Sequence, residues 1–125
     1  VTFTFTTRDV GEFIHGYITC ALWSSSDQSN EQGGEPLDQN YTGRDIDPDT
    51  FDTMCEDCLG FMTEHTGDLE EYCEKITYNP AEGEPMAYAG HDLWLTRNGH
   101  GCGYWDRTGA GEAYLYVGDD GRIYG

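Results

Sequence analysis

The chain has 125 residues, a mass of 14.0 kDa and 14% aromatic side chains, enough for one folded domain over 1–125 and too aromatic for a disordered segment. It carries 24 Asp and Glu against 6 Lys and Arg, a formal net charge of −18. That charge weighs against direct contact with nucleic acid or an anionic membrane, and no apolar run approaches the ~18–20 residues of a membrane span.

The opening VTFTFTTR (1–8) alternates β-branched and aromatic residues and predicts a short strand. Asp9, with Glu12 three residues on, has the spacing of a capping box. Val10, Phe13, Ile14, Tyr17, Ile18 and Ala21 follow at helical spacing, which predicts a helix over about 10–23. His15 lies beside that apolar stripe and is expected as a core histidine. Residues 24–47 are rich in Gly, Ser, Asn and Asp and are expected as a functional loop or a loosely held flap.

Asp47-Pro48 predicts a helix start, Asp as N-cap and Pro in the first turn. Phe51, Met54, Cys55, Cys58, Leu59 and Met62 then form an apolar stripe, continued by Leu69, Tyr72, Cys73 and Ile76. Gly60 and Gly67 are the expected sites of a bend or break. After a Gly/Glu/Pro loop, HDLWLTR (91–97), NGHG (98–101) and CGYWDR (102–107) predict strand, turn and strand. AYLYV (113–117), GDDG (118–121) and RIY (122–124) predict a strand entering a tight turn. Helices first and strands last imply an α+β fold, two helices packed on a three- or four-stranded antiparallel sheet.

Three groups of residues carry candidate chemistry. The first is charge. Between Asp27 and Glu74 there are 15 acidic residues against one Arg, Arg44. Helical repetition puts many on one solvated face: Asp45, Asp47, Asp49, Asp52, Glu56, Asp57, Glu64, Asp68, Glu70, Glu71 and Glu74 are the candidate partner-binding set. DNA carries one charge per ~1.7 Å of axis, so such a face resembles a phosphate track and suits a basic cleft of a DNA-acting protein. The same acidity also serves solubility or a high-salt host.

The second group lies in 91–107. His91, Asp92, Arg97, His100 and Asp106 could supply an acid, a base and an anion clamp to a small enzyme or nucleotide-binding protein. Trp94 and Trp105, of types favoured at interface hot spots, are candidate anchors for a partner. The structural alternative makes Asn98-Gly99 and His100-Gly101 turn residues and leaves the charges to pair with neighbours.

The third group concerns metals. Cys55-x-x-Cys58 with Cys73 is an incomplete zinc set lying on an apolar stripe, where free cysteine is at home. Asp45, Asp47, Asp49 and Glu56 hold four calcium-loop positions, but Thr50 stands where glycine is needed and Pro48 intrudes. No metal and no other cofactor is expected. Five cysteines, an odd number, fit reduced thiols in a cytoplasm better than a disulfide framework, and no basic-then-apolar leader is visible.

HDLWLTRNGHGCGYWDR (91–107) and YLYVGDDGRIY (114–124), preceded by GYITCALWSS (16–25) and GGEPLDQNY (33–41), resemble a family of small acidic proteins of tailed phages and prophages. Its usual phrase is HDFWLTRNGHGAGFWDR. The chain departs from it at Cys102 and in a shortened stretch after Arg107. The resemblance implies phage origin and expression in the host cytoplasm, and it brings no assigned biochemical activity. The expected function is that of a phage accessory protein that binds and modulates a host protein, inhibiting a DNA-acting one through its acidic surface. A minor virion component is a further reading.

Overall fold

In the computed structural model, residues 5–27, 35–75, 85–97 and 115–125 are described. The first helix, α1 (Thr7–Ser24), begins one turn earlier than its apolar stripe suggests. Thr6 is its N-cap: Thr6 Oγ1 accepts from Asp9 N–H (3.1 Å), and Asp9 Oδ2 accepts from Thr6 N–H (3.0 Å). The capping box is therefore Thr6–Asp9 rather than Asp9–Glu12, and Glu12 pairs with Arg8 instead (3.0 Å). Thr7 and Arg8, expected in a strand, belong to the helix; residues 1–4 lie outside the described residues.

Beyond α1, β1 (Ser26–Asp27) and β2 (Glu35–Pro36) form a two-residue antiparallel ladder. Single 3-10 turns follow at Leu37–Gln39 and Gly43–Asp45. The described part of the 24–47 stretch is pinned to the core by two apolar side chains, Leu37 (0% exposed) and Ile46 (4%).

Asp47 caps α2 (Pro48–Glu64) through Oδ2, which accepts from Asp49 N–H (3.2 Å), and Pro48 opens the helix as predicted. Met54, Cys58, Phe61 and Met62 are buried, while Phe51 and Leu59, expected on the apolar stripe, are exposed. Phe61 sets this rotation by stacking on Phe13 of α1 at 6.1 Å. The chain breaks at His65 and resumes as α3 (Thr66–Lys75). The break falls at neither Gly60 nor Gly67. Buried Thr66 donates its hydroxyl to the Met62 carbonyl (2.8 Å), taking the acceptor its own backbone N–H would use.

The fold differs from the expected α+β sandwich. Residues 91–97 are not a strand but the last half of a fourth helix, α4 (Pro85–Arg97). The described residues form four α-helices and two two-residue ladders, so no three- or four-stranded sheet exists among them for two helices to cover. The alternation of His91, Leu93, Leu95 and Arg97 fits a strand over seven residues. The longer window does not: Met86, Ala89, Gly90, Leu93 and Trp94 are all buried, at helical spacing, behind a proline at the first helical position. Residues 98–107, expected as turn and second strand, lie outside the described residues.

α1 and α4 form the principal helix pair. They meet backbone to backbone: a Cβ on Gly16 would stand 1.9 Å from the Ala87 carbonyl oxygen, and one on Gly90 1.9 Å from that of Phe13. The C-terminal hairpin, β3 (Tyr116–Val117) and β4 (Ile123–Tyr124), turns through 118–121 with Gly121 at φ 77°. Ile123 bridges to Ile46, and Asp47 N–H donates to the Ile123 carbonyl (2.7 Å), so the hairpin closes over the start of α2. Side chains from every described segment join one core.

Candidate functional site

The acidic surface follows from the amphipathic rotation of α2 and α3. With Met54, Cys58, Phe61, Met62, Leu69 and Tyr72 turned inward, Asp49, Asp52, Glu56, Asp57, Glu64, Asp68, Glu70 and Glu71 are left exposed. Asp49, Asp52 and Glu56 share a stripe roughly 10 Å long. Asp49, Asp52, Glu56 and Glu64 have no cationic partner among the described residues. Four of the predicted acids have local duties. Asp45 closes the Thr42 capping box (2.8 Å), Asp47 caps α2, Asp68 faces His65 Nδ1 (3.3 Å) and Asp57 accepts from Arg97 Nη1 (2.9 Å). The side chain of Glu74 lies outside the described ones.

Of the enzyme set, His91, Asp92 and Arg97 are described, all of them on α4. His91 and Arg97 stand about 9 Å apart along α4. Asp92 accepts a hydrogen bond from the Tyr72 hydroxyl, tying α4 to α3. Arg97 Nη1 donates to the Tyr17 hydroxyl (2.7 Å) and to Asp57, tying α4 to α1 and α2. Asp92, with an oxygen 3.9 Å from Nδ1, and the sulfur of Cys20 push the His91 imidazole up to about 9. A ring held protonated near neutrality serves as a cation or donor and not as a base. His100 and Asp106 lie outside the described residues.

Trp94 is a correction to the anchor reading. It is 2% exposed, its Nε1–H donates to Ser24 Oγ (2.8 Å), and its ring meets Tyr17 edge-on at 5.3 Å. It is a core residue. Trp105 lies outside the described residues. Among the described residues the exposed tryptophan is Trp23, 58% accessible and 6.4 Å from the His91 ring. The signal for it was present, since Trp23 falls off the apolar stripe of α1. His15, expected in the core, is exposed and borders a groove with Ile18, Leu22, Arg44 and Phe51.

Cys20, Cys55, Cys58 and Cys73 are free thiols. Burial pushes the Cys58 thiol up strongly and that of Cys73 up to about 11, which keeps both protonated and poorly nucleophilic. Among the described residues no group of three His, Cys, Asp or Glu side chains could hold a metal ion. No described helix is long and apolar enough to cross a membrane. No family model, curated protein or solved structure matches the chain.

Proposed function

We propose that the protein is a non-catalytic phage accessory protein whose α2–α3 face competes with DNA for the basic cleft of a host DNA-handling protein. The observation that carries this reading is the row of exposed carboxylates Asp49, Asp52, Glu56 and Glu64 without a cationic partner among the described residues. The helices fix the backbone positions of these charges, so a partner has only their side chains to order on binding. The phage context rests on the resemblance of 91–107 and 114–124. The enzyme reading is not carried further, because Asp92 and Arg97 are engaged in ties between helices.

The test is capture from host lysate at low salt on immobilised protein, beside a variant carrying Asp52→Lys, Glu56→Lys, Glu64→Lys and Asp68→Lys. A DNA-binding host protein should be retained by the native chain, released as salt rises and displaced by duplex DNA. The reversed variant, its helical content checked by circular dichroism, should not retain it. Equal retention by the two proteins overturns the reading. Incorporation into purified particles would select the virion reading instead.

A further inference from the structure

The groove that His15 borders lies between α1, the Gly43–Asp45 turn and the start of α2, with a volume of about 700 Å³, within the range of small-molecule sites. His15, Ile18, Thr19 and Leu22 recur three and four residues apart, so one face of α1 forms a wall roughly 10 Å long. Ile18 and Leu22 supply its apolar floor, and Phe51, 37% exposed, lines it from α2.

Among the described residues no carboxylate lines this groove, whereas two other concavities hold Asp9, Glu12 and Glu70 in one case and Asp57 in the other. Its polar side chains are His15, Thr19, Thr42 and Arg44, each able to donate a hydrogen bond. Arg44 is the one Arg or Lys between Asp27 and Glu74. Its guanidinium makes no ion pair or hydrogen bond among the described residues. The nearest acids in sequence have other duties: Asp45 accepts from Thr42 N–H (2.8 Å) and Asp47 caps α2. Thr42 Oγ1 accepts from Arg44 N–H (3.3 Å), which leaves the Thr42 hydroxyl proton for a ligand. A free guanidinium beside a hydroxyl donor is complementary to a carboxylate, and an aliphatic floor to a hydrocarbon chain.

We infer that this groove binds an apolar monocarboxylic acid of the medium-chain fatty-acid type, its carboxylate on Arg44 and Thr42 and its chain over Ile18, Leu22 and Phe51. The ligand is held without chemical change. Phe51 lies on α2, so the groove borders the acidic face, but binding the acid uses none of the interface carboxylates. A small-molecule titration therefore succeeds or fails independently of the capture of a host protein.

The test is a titration of the full chain with octanoate, followed by NMR at the Ile18 and Leu22 methyl groups, with octanol, octylammonium and acetate as comparisons. Saturable shifts with octanoate are expected. Octanol, which lacks the charge, should bind about tenfold more weakly, and acetate, which lacks the chain, should not saturate. Octylammonium should bind more weakly than octanol at these methyl groups, although a net charge of −18 by itself favours the amine over the acid. Arg44 is exposed, so Arg44→Gln leaves the core intact. That variant should weaken octanoate by about tenfold and leave octanol unchanged, a split that loss of the fold would not produce. Phe51→Ala should weaken both. Absence of saturable octanoate binding, an affinity for octanol or octylammonium equal to or above that for octanoate, or unchanged octanoate affinity in Arg44→Gln would overturn the inference.

Discussion

His91 shows how one side chain on α4 couples folding to pH. Its ordinary value of 6.5 is pushed up to about 9, first by Asp92 and then by Cys20, against an opposing effect of burial. A folded value above the unfolded one means the native state holds the proton more tightly. The resulting stabilisation is full below pH 6.5 and is lost as pH rises through about 9. The side chain is 40% exposed, so solvent screening reduces the size of the effect. Urea midpoints taken below 6.5 and above 9 should fall for the native chain by more than for His91→Gln. Parallel pH dependence in the two proteins would show that His91 does not contribute. None of this was legible in the residue order. Asp92 follows His91 immediately but is held from α3 by the Tyr72 hydroxyl, and Cys20 reaches the ring through the packing of α4 on α1.

At the scale of elements, the α1–α4 contact depends on missing side chains. Gly16 and Gly90 let two backbones approach to where a Cβ would overlap a carbonyl oxygen at 1.9 Å. Gly16→Ala or Gly90→Ala must therefore push the helices apart, at a cost of about 1–3 kcal/mol or more. Gly11, Gly60 and Gly67 also sit in helices, and a Cβ there would meet nothing within 4 Å. Alanine at those positions should stabilise by about 0.5–1 kcal/mol each, by favouring helix over the unfolded chain. Denaturation midpoints should thus move in opposite directions for the same substitution. A shared direction would refute the close helix contact. Helix propensity alone scores these glycines alike. Only the packing partner separates them, and the same partner decides that 91–97 is helical.

For the whole molecule, net charge is the dominant long-range quantity. At −18 the folded chain repels itself, and added salt screens that repulsion within about 10 Å at 0.1 M. Thermal stability should rise with sodium chloride over the range in which binding to a basic partner weakens. The fourfold Lys variant, with a smaller net charge, should be more stable than the native chain at low salt and depend less on salt. A native melting temperature independent of salt would show that the carboxylates are already neutralised locally.

Several features of this protein are set by residue order alone. The charge is a sum over residues and needs no fold. Asp47-Pro48 starts α2 because cap and proline act within a single turn. The 118–121 turn forms where Gly121 tolerates φ 77°. These are short-range energies, readable wherever the residues stand together. Tertiary structure decided the rest. Seven residues, His91 to Arg97, fit two periods equally well, and burial of Met86, Ala89, Gly90, Leu93 and Trp94 against α1 selects the helix. Phe61 rather than Phe51 or Leu59 turns inward because Phe13 lies opposite it. Trp94 becomes core, Trp23 surface, and Asp57 and Arg97 partners across 40 residues, through contacts between elements far apart in sequence. Such contacts depend on where distant segments meet, which no local pattern of residues encodes.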